Sequence, residues 1–173
     1  MEMVNVIIDG KSVEVEKGST VLLAAQKAGV HIPTLCYLKD VNAIGACRVC
    51  LVEVKGAKAL QPACVYPVSD ALCQSGKGGL EVHTNTPKVR EARKAVVELL
   101  LSNHPADCLT CVRSGNCELQ TMAQQMGIRE IRFEGEKSTF PIDDRSVAIV
   151  RDPNKCILCR RCVATCQKVQ GAF

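Results

Sequence analysis

Apolar and polar residues alternate from Val4 to Val15, with Val4, Val6 and Ile8 before Asp9-Gly10 and Val13 and Val15 after it. A period of two predicts half-buried strands, and Asp-Gly favours the two-residue turn of a hairpin. The period then changes. Ser19 or Thr20 can cap a helix whose Val21, Leu22, Ala25 and Ala28 share one face, and Gly29 can end it in a left-handed conformation. After a cysteine-bearing loop, Leu51 to Val54 and Ala59 to Val65 read as short strands separated by Lys55-Gly56, and Leu80 to His83 supplies one more. These elements predict a small mixed sheet with one packed helix.

Gly76 to Gly79 reads as an exposed loop, and Thr86-Pro87 is an N-cap and first-turn pair that starts a long helix. In that helix Val89, Ala92, Val96, Leu99 and Leu100 form an apolar stripe. Lys88, Arg90, Arg93 and Lys94, with Glu91 and Glu98, are expected on its solvated face. A shorter helix covers Glu118 to Gln125 and ends at Gly127, and the polar, turn-rich stretch from Glu134 to Asp144 reads as a linker, with a last segment from about Ser146. The expected fold class is α+β, divided into residues 1–84, 85–135 and 136–173.

Composition changes this picture through one residue type. Of 173 residues 12 are cysteine, while aromatics make up 3% with no Trp, so the core lacks the side chains that normally dominate buried area. No run of 18 apolar residues and no signal-peptide pattern occur, so a cytoplasmic location is expected and a disulfide framework is not. Cysteine in this amount then points to metal. The formal charge of +4 counts every thiol as neutral; with three iron-sulfur centres formed it falls by about five units, to about −1. Nucleic-acid binding loses its electrostatic basis, and no aromatic residues interleave the Lys88 to Lys94 cluster to stack on bases. Neither a paired acid and base, nor a nucleophile constellation, nor a phosphate-cradling loop occurs, so no catalytic residue is assigned.

The cysteines fall into three groups. Cys36, Cys47, Cys50 and Cys64 have 10, 2 and 13 residues between them and could bind a 2Fe-2S cluster, with Gly45 and Ala46 allowing backbone N–H groups to approach the sulfurs. A four-cysteine zinc site uses the same ligands, although zinc ribbons carry two CxxC knuckles and this group has one. The run Cys156, Cys159, Cys162, Cys166 is C-x2-C-x2-C-x3-C, a 4Fe-4S pattern that a single zinc ion rarely uses. In two-cluster ferredoxins the fourth cysteine serves the other cluster, and Gln167 stands where Pro commonly follows. Either Cys166 closes one cluster, or it serves a neighbour. The third group, His104, Cys108, Cys111 and Cys117, suits zinc with three cysteines and one histidine, or a 4Fe-4S cluster whose potential a neutral imidazole raises. His31 and His83 have no cysteine neighbourhood and read as ordinary residues, and Cys73 reads as a spare thiol.

The order of these groups resembles the N-terminal electron-input region of multidomain iron-iron hydrogenases, including NAD(P)-linked complexes, and the related front end of the complex I large iron-sulfur subunit. The resemblance covers essentially the whole chain. Its carriers are IPTLCYL, GACRVCLVEV, PAC at Cys64, VHTNTPKVREARKAVVELLLSNHPADCLTC, RSGNCELQ and VRDPNKCILCRRCV. It implies a ferredoxin-like β-grasp domain with 2Fe-2S on Cys36, Cys47, Cys50 and Cys64, and a small helical domain with 4Fe-4S on His104, Cys108, Cys111 and Cys117. It also implies the start of a bacterial-ferredoxin-like domain with 4Fe-4S on Cys156, Cys159 and Cys162, Cys166 being given to a neighbouring cluster. The implied activity is electron transfer, with a flavin-containing NAD(P)H-oxidising subunit, a small 2Fe-2S subunit or a soluble ferredoxin as partner. Two departures stand out. The stretch from Ala71 to Gly79 is longer than the family's connection, and none of the ligands of a second ferredoxin run or a hydrogen-activating centre is present. The chain as given is expected not to evolve hydrogen; an NAD-linked formate dehydrogenase shares all three groups, and a zinc-stabilised interaction module is the rival of another class.

Overall fold

Asp9 and Gly10 both have positive φ, 48° and 83°, the backbone that a two-residue hairpin turn demands. They join β1 (Met3–Ile8) to β2 (Lys11–Glu16) in antiparallel register, Val4 opposite Val15 and Val6 opposite Val13. The computed structural model describes residues 2–69, 79–137 and 139–172. Chain contacts divide it into one unit of residues 1–93 and 160–173 and a second of residues 94–159.

In the first unit β3 (Leu51–Val54), β4 (Gln61–Pro62) and β5 (Leu80–His83) complete a five-stranded sheet in the order β2-β1-β5-β3-β4. The β1–β5 pair is parallel and the others are antiparallel. Alternation holds along the paired strands: Val4, Val6 and Ile8 are buried, as are Val52, Val54, Leu80 and Val82. Helix α1 (Val21–Lys27) lays Val21, Leu22, Ala24 and Ala25 into the same core. Thr20 caps it, its Oγ1 accepting from the Leu23 N–H at 3.3 Å, and Gly29 follows at φ 69°. Each fully buried Val, Leu or Ile contributes about 1.5–3 kcal/mol, which is how a core without large aromatics holds.

The strand expected over Ala59 to Val65 is confined to Gln61–Pro62. Proline has no N–H to extend a ladder, and the Val65 and Tyr66 N–H groups both turn back to the Pro62 carbonyl at 3.1 Å. That turn carries Cys64.

Helix α2 (Pro87–Ser102) starts as expected, Thr86 Oγ1 accepting from the Val89 N–H at 3.2 Å. Its buried face is not the expected stripe. Val89, Arg93 and Val97 are buried in steps of four, Glu98 beside them is buried, and Leu99 is half exposed. Arg93 and Glu98 therefore do not belong to a solvated face: each is covered and satisfied by a specific polar partner described below.

In the second unit Val97, Leu119 and Met122 are buried. The buried Glu98 carboxylate accepts from Arg132 Nε at 2.8 Å and Nη2 at 2.7 Å. Helix α3 (Glu118–Gln125) ends before Gly127 at φ 63°, and residues 139–152 form no helix or strand beyond a bridge between Asp143 and Arg151.

Candidate metal centres

Cys36, Cys47, Cys50 and Cys64 are all buried, in the loops around α1, β3 and β4. Each position has a local cause. The Asn42 side chain donates to the Cys36 carbonyl at 2.8 Å and ties down the loop after Cys36. Cys47 and Cys50 flank a tight turn in which Arg48 sits at φ 58°, a left-handed conformation that costs a side chain about 1–2 kcal/mol and persists only where the surroundings enforce it. Cys64 is held by its neighbours: the Ala63 carbonyl accepts from Leu22 N–H at 2.9 Å, the Tyr66 carbonyl from Val21 N–H at 3.0 Å, and Ala63 N–H donates to Cys50 O at 3.0 Å. The otherwise unpaired amides at the start of α1 thus bind the loop that presents Cys64.

The four sulfurs meet two by two. Cys36 contacts Cys47, whose sulfur accepts from the Cys36 N–H at 3.4 Å, and Cys50 contacts Cys64. The Cys64 thiol donates to Cys50, which holds the Cys50 pKa down at about 6 against the effect of burial; the same bond, burial and the nearby sulfurs push the Cys64 pKa up. One proton serves two sulfurs, and a second ionisation needs added positive charge. Burial likewise raises the Cys36 pKa. Backbone amides point at the sulfurs, as Gly45-Ala46 led us to expect: Gly45 N–H reaches Cys64, and the Ala46 and Cys47 N–H groups reach Cys36. Two buried thiol pairs ringed by amides suit a two-iron group, which takes two thiolates per iron and gains from each N–H···S bond.

His104 follows α2, and a chain of turns leads from it to α3. Thr110 N–H donates to Asp107 O, Cys111 N–H to Cys108 O, Ser114 N–H to Cys111 O and Asn116 N–H to Arg113 O, at 2.9 to 3.4 Å. Cys108 is exposed, Cys111 and Cys117 are half-buried, and Cys117 is the N-cap of α3 without using its sulfur there. His104 Nδ1 lies 3.0 Å from the Pro105 carbonyl, so the proton sits on Nδ1 and the Nε2 lone pair remains for a metal. Lys155 pairs with Asp107 at 3.0 Å, and Cys111 is a further partner of its ammonium. Among the described residues no three His, Cys, Asp or Glu side chains close on a single point.

In the last run Cys156 follows a 3-10 turn at Pro153–Lys155. Leu158 and Arg160, on either side of Cys159, have φ of 55° and 60°, and Leu158 N–H donates to the Cys156 sulfur at 3.4 Å. Cys162 lies in helix α4 (Arg161–Thr165), and Cys166 opens a π-helical turn through Gln170. The four cysteines of the run lie on both sides of the division between the two units. His31 is exposed and His83 half-buried beside Glu81 at 3.3 Å. Cys73, and all of the long connection but Gly79, lie outside the described residues.

Three residues escaped the motifs because they are not ligand types: Arg93, Asn42 and Lys155. The signal available for Lys155 was its place next to Cys156; for the other two there was none.

Residues 1–87 match the 2Fe-2S iron-sulfur cluster binding domain, and residues 93–132 match the NADH-ubiquinone oxidoreductase-G iron-sulfur binding region. The chain belongs to this iron-sulfur family. It is 46% identical over 175 residues to the NADP-reducing hydrogenase subunit HndD of Solidesulfovibrio fructosivorans, covering 98% of this chain and 28% of the relative. It is 39% identical over 171 residues to the NADH-ubiquinone oxidoreductase 75 kDa subunit of Reclinomonas americana, covering 98% and 23%. The crystal structure of an NAD+-reducing NiFe-hydrogenase in the H2-reduced state superposes with a TM-score of 0.83 at 31% identity, over 96% of this chain and 67% of that one. The chain thus spans less than a third of the length of these curated relatives. It is a mixed α/β protein with a 2Fe-2S cluster binding domain and an oxidoreductase-G-type iron-sulfur binding region, similar over nearly its whole length to parts of these hydrogenase and NADH-ubiquinone oxidoreductase subunits. Among the described residues no helix is long and apolar enough to cross a membrane.

Proposed function

We propose that this chain is the electron-input segment of an NAD(P)-linked iron-iron hydrogenase, passing electrons one at a time through three centres. A 2Fe-2S cluster is assigned to Cys36, Cys47, Cys50 and Cys64, and a 4Fe-4S cluster to His104, Cys108, Cys111 and Cys117. A further 4Fe-4S cluster is assigned to Cys156, Cys159 and Cys162, with Cys166 closing it or serving a neighbour. The clusters supply the redox chemistry. The chain's own residues hold the thiolates, aim N–H groups at sulfur and exclude water from the first site.

The observation that carries this reading is the order of the three donor groups within a sequence 46% identical to a hydrogenase subunit across 98% of the chain. The 39% identity to an NADH-ubiquinone oxidoreductase 75 kDa subunit supports a second reading, the front end of complex I, on which all three centres keep their places. The proposed domains are a β-grasp at 1–84, a helical cluster domain at 85–135 and a partial ferredoxin-type segment at 136–173. The proposed partners are a flavin-containing NAD(P)H-oxidising subunit, a small 2Fe-2S subunit or a soluble ferredoxin, in the cytoplasm, where exposed thiolate sites such as Cys108 escape oxidation.

The test is iron, acid-labile sulfide and zinc content of anaerobically purified chain, with EPR of the dithionite-reduced sample. About ten irons with both 2Fe-2S and 4Fe-4S signals is the expected result, and about six leaves the Cys156 to Cys166 site unfilled. Stoichiometric zinc without a reducible signal, in material made with adequate iron, overturns the reading in favour of a zinc-folded interaction module.

A further inference from the structure

Among the described residues Arg93 is the strongly buried cation beside the first unit's site, and carboxylate pairing does not explain it. The residue is 7% exposed in the second turn of α2. Its Nε and Nη2 donate to the Leu51 carbonyl at 3.0 and 2.7 Å. The register that sets Glu53 opposite His83, the last residue of β5, leaves Leu51 beyond the end of that strand, so the guanidinium satisfies a carbonyl the sheet cannot. That answers the carbonyl but not the charge. A neutral acceptor does not offset burial of a full positive charge, and among the described residues no carboxylate forms an ion pair with Arg93.

Two anionic groups act on it at longer range. Burial lowers the Arg93 pKa, while Cys50 first and Asp9 second raise it. Asp9 is already engaged, its two oxygens accepting from the Thr84 N–H at 2.7 Å and the Thr84 hydroxyl at 2.5 Å. Cys50 immediately precedes Leu51 and is itself 1% exposed, and as a cluster ligand its sulfur is a thiolate. The charge that answers Arg93 therefore lies on the sulfur side.

We propose that Arg93 is the built-in counter-charge of the 2Fe-2S centre, a positioning residue held by the Leu51 carbonyl beside Cys50 that raises the centre's reduction potential. The inference rests on the assignment of Cys36, Cys47, Cys50 and Cys64 as ligands. The physical reason is direct: reduction adds one negative charge to the cluster, and a fixed cation in a low-dielectric surrounding favours the reduced form. Arginine suits the task because its charge does not titrate and its fork can grip one carbonyl with two N–H groups. It touches no iron and no sulfur in a bond; it acts through the field at Cys50 and through the Leu51 carbonyl that follows it.

The experiment is an EPR-monitored redox titration of the full chain as wild type, Arg93→Lys, Arg93→Gln and Arg93→Met. The 2Fe-2S midpoint is expected to fall in Arg93→Gln and Arg93→Met by about tenfold in the reduction equilibrium, about 59 mV for one electron. Arg93→Lys is expected to stay near wild type, and the His104 centre is expected not to move in any variant. An Arg93→Met chain with a full 2Fe-2S signal at the wild-type potential overturns the proposal, as does an Arg93→Lys shift as large as that of Arg93→Met. Where Arg93→Gln and Arg93→Met fail to assemble the cluster, Arg93→Lys decides: assembly at the wild-type potential supports a charge role, and failure there too makes Arg93 a packing residue only. A wild-type chain lacking any 2Fe-2S signal overturns the ligand assignment itself, which is a different result.

Discussion

Arg161 Nη2 donates to the Tyr37 carbonyl at 3.1 Å, joining residues 124 positions apart. Tyr37 follows Cys36 and Arg161 precedes Cys162, so the bond ties the loop of the first cysteine group to the helix that carries the end of the last run. Arg161→Ala is expected to loosen both partners without unfolding the sheet. Hydrogen exchange checks this: amides of residues 160–172 and 35–43 should exchange faster, while Val6, Val52 and Val82 keep their protection. Unchanged exchange in the two segments would show that other contacts hold α4 in place.

Gly45 has φ 63°, and a Cβ there would lie 3.1 Å from Val65 Cγ2. Gly18 also has positive φ, 86°, but a Cβ there meets nothing within 4 Å. Gly18→Ala should therefore cost only the left-handed strain, about 1–2 kcal/mol, while Gly45→Ala adds crowding and tilts the N–H that reaches Cys64. Urea unfolding of the two iron-free variants measures the difference. Equal losses would mean that Val65 yields freely and that crowding contributes nothing.

His104→Cys exchanges a neutral imidazole for a thiolate at the second centre. The four-iron EPR signal is expected to persist, with a midpoint lower by on the order of 100 mV, because the extra negative charge disfavours reduction. A variant that keeps the wild-type potential would remove His104 from the ligand set. The Nδ1 contact with the Pro105 carbonyl gives a second handle, since it leaves Nε2 as the ligating atom.

Elements whose causes are local were legible in the sequence. The hairpin at Asp9-Gly10, the Thr20 and Thr86 caps and the α3 stop at Gly127 depend on side chains within four residues of the feature, and each stands where the pattern put it. The strand expected through Val65 stops at Pro62 because proline lacks the donor that would extend the ladder. Arg93 and Glu98 depart from the expected solvated face for a different reason. Residue type places a charge on the solvated face of a helix, and only the Leu51 carbonyl and the Arg132 guanidinium, 42 and 34 residues away, reveal why these two are buried. Of the first site, the motif gave the four cysteines and the Gly45 approach; the pairing of sulfurs and the cation behind Cys50 required the fold.

The β3–β5 seam carries a pH-dependent pair. Lys55 follows β3, and its Nζ meets the Glu81 carboxylate on β5 at 2.5 Å, while the Lys55 N–H donates to the Glu81 carbonyl at 2.9 Å. The Lys55 hydrogen bond is the main cause of a Glu81 pKa below its ordinary 4.5, with His83 adding a smaller pull. A carboxylate whose pKa falls on folding contributes stability above its unfolded pKa and loses it as pH drops through the folded value. The contribution is therefore complete at pH 6 and gone below the depressed folded pKa. Because the pair is largely exposed and salt screens it, the effect is small. Lys55→Met should lower the melting temperature slightly at pH 6 in low salt, and the gap to wild type should close both on acidification to about pH 3 and on adding about 1 M salt. Iron-free chain is the right material, because acid also strips iron-sulfur ligands. A gap that persisted at pH 3 would assign the Lys55 effect to its aliphatic stem packing on the sheet rather than to the charge on Glu81.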